Sequence, residues 1–407
     1  MISATTGPAA VAVGPAPDLD RMQAVIAELA SHRYAGRRVG AAGGRAAADW
    51  LAGQLEAAGA VSEVDVFPVQ GAVRDVYALP IATWDGRDSE LDLVFRRDFC
   101  EHLASADLPE PRTGRLAAVT GDLAGAWVLD TGFSAERVAG FAAAGAVGVV
   151  VPRGTDAAGW MPKMIAGPPP AALPVLAVRT DLHEHMRSAP GLGRLTGSVP
   201  VRTVDVTGAN VYGVFRPRRA GLSVLLTAHF DGVGDDPDGT RFPAACDNAA
   251  GVAAGLEAAR VLNTILPTGV GLAVALLDGE EAGARGSAWH ARFVDEGTFV
   301  INLDGAAQLA DAAAVEAGGP AQPLLAALDL AGRQVGVPLR AQAMPSDNRR
   351  YAAAGLPTVG IGMGMPGYQT PAETVDRIDP ATLLAASRLL IATVVNLADG
   401  FNPTRPA

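Results

Sequence analysis

The stretch VALLDGEEAGARGS, from Val274 to Ser287, joins an apolar run to two adjacent acidic residues. The apolar part, which ends at Leu277, predicts a buried strand, and the glycines that follow predict a loop at the end of that strand. Adjacent carboxylates repel each other. Either solvent therefore screens Glu280 and Glu281, or a positive charge lies between them.

The composition indicates a folded, acidic protein. Of 407 residues, 49% are apolar, which is enough for a large core. The net charge of −11 argues against nucleic acid and an anionic membrane surface as the main partner. The two cysteines, Cys100 and Cys246, permit at most one internal bridge, so the chain is not a disulfide scaffold. Its oligomeric state stays open.

The N-terminal residues predict a tail and no targeting signal. Residues 1–17 are rich in Ala, Gly and Pro and are expected to form a flexible tail. They lack the basic start and unbroken apolar segment of a signal peptide, and no membrane span is predicted elsewhere. We therefore expect a cytoplasmic location.

Alternating apolar runs predict an α/β fold with an inserted domain. After residue 204, strand-like and helix-like runs alternate, which is typical of a mostly parallel sheet flanked by helices. Residues 18–83 extend the same main domain. Residues 84–203 contain short strand-like runs and an alanine-rich helix, and we predict that they form a smaller, β-rich inserted domain. Helices of the main domain are predicted at 19–29, about 44–58, 247–263, 286–294, 321–336 and 379–399.

Polar residues with metal-binding chemistry follow the predicted strands of the main domain. They are His229, Asp231, Asp247, Glu280, Glu281 and Asp304. Taken singly, the histidine would be a packing residue, Asp247 a helix cap, and the two glutamates a solvated pair. Taken together, they follow successive strands, whose carboxyl ends meet at one edge of such a sheet. Because several buried carboxylates are costly without a cation, we predict a metal site there.

Four segments, in order, resemble the M28 family of di-zinc metallopeptidases, which are mostly aminopeptidases. They are HFD (229–231), CDNAAGVA (246–253), DGEEAGARGS (278–287) and INLDG (301–305). The segment 32–60 is similar to the amino-terminal region of that family. Within the insertion, GAWVLD and FAAAGAVGVVV resemble a protease-associated (PA) domain. The resemblance implies a zinc-exopeptidase-like fold, related to the phosphorylase/hydrolase-like folds, and a peptide or amino-acid amide substrate. Many relatives are secreted.

The family pattern assigns a role to each of these residues. It places one ion on His229, Asp247 and Asp304. Asp247 would also reach a second ion, which takes Glu281. Glu280 matches the general base, and Asp231 matches the residue that orients the histidine from behind. Zinc suits oxygen ligands with one or two imidazoles, although manganese or cobalt would also fit.

One family ligand is changed in this chain. The last ligand of the family is a histidine between tyrosine and threonine, and the matching segment GYQTPAETVD has Gln369 at that position. An amide oxygen is a poorer zinc donor than imidazole. The second ion site is then weak or empty, or Gln369 binds a harder ion through its oxygen, or the chemistry has changed or been lost.

These residues lead to one main functional hypothesis and two alternatives. The main hypothesis is a metal-dependent hydrolase of the aminopeptidase type. It would cleave the amide bond next to a free amino group, with Glu280 as the general base. The alternatives are glutaminyl-cyclase-like or otherwise modified chemistry, and a non-catalytic peptide-binding homologue. Candidate substrate contacts are Tyr368, Arg349 and Arg350. The guanidinium group of either arginine would bind a carboxylate of the substrate.

Overall fold

A computed structural model describes residues 16–86, 90–189, 192–218 and 221–401. The first fifteen residues of the predicted tail lie outside these ranges. The strands are β1 Val61–Val76, β2 Ala82–Asp85, β3 Glu90–Asp92, β4 Phe99–Glu101, β5 Leu108–Ala118, β6 Ala126–Leu129, β7 Gly148–Arg153, β8 Val175–Arg179, β9 Arg194–Val199, β10 Val201–Arg216, β11 Ser223–His229, β12 Gly271–Leu277, β13 Thr298–Leu303, β14 Ala313–Gly318, β15 Leu339–Ala341 and β16 Thr358–Gly362. The α-helices are α1 Leu19–Leu29, α2 Ala42–Ala57, α3 Ala135–Ala143, α4 Thr180–Ser188, α5 Ala250–Ile265, α6 Arg285–His290, α7 Gln322–Val335, α8 Asn348–Ala353 and α9 Pro380–Gly400.

The main sheet has eight strands in the order β1-β10-β12-β11-β13-β16-β14-β15. Its centre is parallel, since β11 pairs in parallel with both β12 and β13, and β13 pairs in parallel with β16. Strands β1, β10 and β14 join it in antiparallel fashion. The central strands are buried along nearly their whole length, as strands covered on both faces should be. The predicted α/β fold class is confirmed.

Helices cover this sheet through apolar side chains. Helix α5 packs against β11 and α9, and α9 also packs against α7. Asp379 caps α9 by accepting hydrogen bonds from the N–H groups of Ala381 and Thr382, at 3.2 and 3.0 Å. By length and hydropathy alone α9 is able to cross a membrane, but 56% of its most apolar window is buried inside the protein, as in a core helix.

Three local predictions were wrong. The helix expected from Asp247 begins at Ala250, because residues 245–249 form an irregular turn with extended backbone at Asp247. The helix expected at 286–294 ends at His290. The segment SDNRRY, Ser346–Tyr351, which the family resemblance places in a loop beside the cleft, contains the first four residues of helix α8. Each error falls beside the carboxyl edge of the main sheet, where polar contacts rather than apolar periodicity decide the backbone.

A second eight-stranded sheet lies between residues 82 and 199, in the order β3-β2-β9-β5-β6-β7-β8-β4. It has hydrophobic clusters of its own, in which Trp127 and Leu176 are fully buried on one side and Val128 and Val149 on the other. The long antiparallel pair β1 and β10 leads from the main sheet to this one and ends at the pair Val76 and Val201. Its assignment as a PA domain, and the limits 84–203, stay predictions.

A buried ionic network joins the second sheet to the main one. Arg96 makes two hydrogen bonds to the carboxylate of Asp236, at 2.7 and 3.0 Å, and lies 3.0 Å from Glu101. The Nζ atom of Lys163 lies 3.0 Å from the same aspartate and donates to the carbonyl oxygen of Gly234 at 2.8 Å. Asp236 belongs to the loop after β11. The second sheet therefore holds a loop that begins at the predicted metal site.

We expect Arg96→Met to lower the thermal unfolding midpoint strongly. The substitution leaves the carboxylate of Glu101, which is 1% exposed, without its cation, and breaking a buried pair costs about 3–5 kcal/mol. The control is Arg115→Met, which removes an ion pair to Asp122 whose side chains are 39% and 79% exposed and should change the midpoint little. Equal, small shifts in the two variants, measured by differential scanning fluorimetry, would contradict this.

Candidate metal centre

Three predicted ligands meet at the carboxyl edge of the main sheet. His229 ends β11, Asp304 directly follows the neighbouring β13, and Asp247 comes from the turn before α5. The Nε2 atom of His229 lies 3.0 Å from an oxygen of Asp247 and 3.2 Å from one of Asp304. One ligand atom from each residue lies within 4.8 Å of the other two, and all three side chains are buried.

The charges and donor atoms of this centre are suited to a cation. Burial raises the pKa of the Glu280 and Glu281 carboxyl groups well above the ordinary value. Burial alone would lower the pKa of His229, but Asp304, Asp231 and Asp247 outweigh it and raise that pKa well above its ordinary value. One imidazolium cannot neutralise so many carboxylates. A divalent ion between His229, Asp247 and Asp304 would supply the missing charge, so the donor set fits such an ion.

Asp231 connects the histidine to the loop that carries the two glutamates. Its carboxylate accepts the backbone N–H groups of Glu280 and Glu281, at 3.0 and 3.2 Å. The Nδ1 atom of His229 lies 3.5 Å from the same carboxylate and 3.3 Å from the backbone oxygen of Asp231. The side chain thus lies behind the ring, as the sequence suggested, and it also fixes the backbone of the glutamate loop.

Glu373 fixes two further loops, which the sequence did not reveal. Its Oε1 atom accepts the N–H groups of Cys246 and Asp247, at 3.0 and 2.5 Å, and its Oε2 atom accepts the N–H of Gln369 at 2.9 Å. The side chain is 1% exposed. One buried carboxylate therefore sets the positions of a predicted ligand and of the altered residue 369. Its place two residues after Pro371 gave no sign of this role.

Arg37 is a buried positive charge behind the acidic centre. Its guanidinium donates to four backbone oxygens, those of Leu29, Phe230, Pro243 and Ala244, at 2.6 to 2.9 Å. Burial lowers its pKa to about 10, while nearby carboxylates act in the opposite direction. The guanidinium therefore stays charged at neutral pH, and it fixes the backbone on both sides of the 231–244 segment.

Asp347 is a buried carboxylate that the sequence analysis missed. It directly precedes helix α8 and is 0% exposed. Burial raises its pKa to about 7. The segment SDNRRY drew attention only to its arginines, because a single aspartate at a loop carries no pattern of its own.

The arginines of that segment have other partners. Arg349 lies 3.2 Å from the carboxylate of Glu316, and Arg350 donates to the carbonyl oxygen of Gly283 at 2.8 Å. Arg350 therefore supports the loop of the two glutamates. Tyr368 is 46% exposed, and its pKa is raised by burial and by Glu281 and other nearby carboxylates, so it lies at the open side of the centre. A substrate-binding role for these three residues stays a prediction.

Part of the main domain is similar to a known protein family. Residues 210–394 match the sequence profile of peptidase family M28. The match covers less than half of the chain. The match begins in β10 and ends in α9, and it includes His229, Asp247, Glu280 and Asp304. No curated protein matches the sequence.

Solved structures share the fold over nearly the whole chain. The zinc aminopeptidase BSAP from Bacillus subtilis is 20% identical, with a TM-score of 0.72 and 96% of each chain covered. An aminopeptidase from Aneurinibacillus sp. strain AM-1 is 21% identical, with a TM-score of 0.66 and 93% of each chain covered. A glutaminyl cyclase from Porphyromonas gingivalis is 15% identical, with a TM-score of 0.51, and covers 94% of this chain and 98% of its own. At these identities, the similarity shows only that the chain shares this fold, over both of its sheets.

Glu373→Gln is expected to weaken zinc binding by about 10- to 100-fold, because residues that orient metal ligands have effects of this size. In the wild type, three backbone N–H groups donate to the two carboxylate oxygens of Glu373. In the variant, one of these oxygens becomes an NH₂ group, which is itself a donor and cannot accept them. Competition with a chromogenic chelator measures the zinc dissociation constant. The control is Glu296→Gln on the surface. An unchanged dissociation constant in the Glu373 variant would show that the loops hold the ligands without it.

Proposed function

We propose that this protein is a zinc-dependent aminopeptidase. The observation that carries the proposal is the buried group of His229, Asp247 and Asp304 with Glu280 beside it, inside an M28 domain. Two solved structures with this fold are described as aminopeptidases, one of them as a zinc enzyme. The substrate class would be peptides or amino-acid amides with a free amino group.

When bound, the ion would polarise the scissile carbonyl group and make an attacking water molecule more acidic. The rest of the chemistry falls to the protein. Glu280 would take the proton from the water and pass it to the leaving amine. The hydrogen bond from its backbone N–H to Asp231 keeps the Glu280 loop next to the ligands.

Two alternatives are separated by their products. A glutaminyl-cyclase-like enzyme would release a product that is lighter by ammonia or water and would leave the peptide chain uncut. A peptide-binding homologue would leave its ligand unchanged. The position of the half-buried Glu280 beside the centre favours the hydrolase, because a binding protein has no need for a proton carrier there.

Glu280→Gln should lower kcat for an aminoacyl p-nitroanilide by about 100- to 10,000-fold, the range for loss of a general base. Zinc content should stay unchanged, because the predicted ligands are intact. Assays with zinc, manganese and cobalt, with products identified by mass spectrometry, test this. The control substrate is the same anilide with its amino group acetylated. An aminopeptidase should leave it intact, because the free amino group is missing. Folded, zinc-loaded wild-type protein that cleaves no free-amino substrate would contradict the proposal.

A further inference from the structure

The backbone of Gln369 is held on both sides. Its N–H donates to Glu373 at 2.9 Å, and its carbonyl oxygen accepts the N–H of Lys163, from the second sheet, at 2.9 Å. The residue has a φ of +54°, an uncommon conformation outside glycine, and its side chain is buried, with 4% exposed. The amide group therefore has a defined position, set by contacts with both parts of the protein.

The amide is oriented by Glu281. Its Nε2 group donates a hydrogen bond to the Oε2 atom of the Glu281 carboxylate. The reverse orientation would place the amide oxygen against that carboxylate, so the partner fixes which atom faces Glu281. The Oε1 atom of Gln369 is buried and has no hydrogen-bond partner among the described residues. Glu281 is thus bound directly to the residue that would share a second cation with it.

A second ion would have to break this contact. To bind through Asp247, Glu281 and Gln369, the ion would need the amide to release Glu281 and turn its oxygen inward. The ion would gain only a neutral amide oxygen as its ligand at position 369. Such an oxygen binds zinc more weakly than the imidazole that the family has there. The loss is a hydrogen bond to a charged group, which is about twice as strong as a neutral one. Within the described ranges, the group of mutually close ligand atoms does not extend to Glu281.

We infer that this M28 domain binds one divalent ion, at His229, Asp247 and Asp304, and that the hydrogen bond between Gln369 and Glu281 replaces a second ion. The inference rests on the proposed metal binding at this centre. It gives Glu281 a new role, since its carboxylate is held by a neutral donor.

The test is zinc content per chain, measured by inductively coupled plasma mass spectrometry after gel filtration, in four proteins. The inference predicts one ion in the wild type, two in Gln369→His, and none in His229→Ala. The control Gln342→His adds a histidine at an exposed position and should keep one ion. The ion that Gln369→His retains at the first position shows that this variant is folded.

The outcomes separate this inference from the proposed function. Two ions in the wild type would overturn the inference and leave the aminopeptidase proposal standing. One ion in Gln369→His would also overturn it, because the glutamine would then not be what excludes the second ion. One ion that survives in His229→Ala would place the metal elsewhere and overturn it as well. No ion in the wild type would contradict both proposals, whereas one ion without hydrolysis would contradict only the proposed function.

Discussion

The structure depends on the repulsion between buried carboxylates at the carboxyl edge of the main sheet. Asp231, Asp247, Glu281, Asp304 and Glu373 are all less than a tenth exposed. Moving such groups out of water is costly unless each charge is paired or hydrogen-bonded. Backbone N–H groups satisfy Asp231 and Glu373, and Gln369 satisfies part of Glu281. The carboxylates of Asp247 and Asp304 both lie beside the imidazole of His229. A divalent ion bound between the three side chains would neutralise the remaining negative charge.

The two sheets contribute differently to this arrangement. The main sheet supplies the ligands, because its parallel strands end side by side and present their following residues at one edge. The second sheet supplies none of the three ligands, but it fixes the loops around them. Lys163 contacts the loop after β11 and the carbonyl oxygen of Gln369, and Arg96 pairs with Asp236. A substitution in the second sheet would therefore change the positions of the loops around the metal centre. It would not remove a metal ligand.

Sequence reasoning predicted the parts that depend on local pattern. The central strands and helices α1, α7 and α9 follow from apolar periodicity, and the ligand candidates follow from their positions after strands. It missed Glu373, Asp347 and Arg37, because their roles depend on contacts between segments that are far apart in the chain. It also interpreted Asp247 as close to a helix cap, because an aspartate before an apolar helical run usually is one. Here the hydrogen bond from its N–H to Glu373 and the extended backbone place it in a turn. The altered ligand was visible in the sequence, but the hydrogen bond that Gln369 makes to Glu281 was not.

The most direct test of the central claim is anomalous diffraction from zinc-soaked crystals, with data collected on both sides of the zinc absorption edge. The account predicts an anomalous peak at bonding distance, about 2.0–2.2 Å, from the His229 ring nitrogen and the carboxylates of Asp247 and Asp304. The absence of a peak there, with these three side chains directed away from one another, would contradict it.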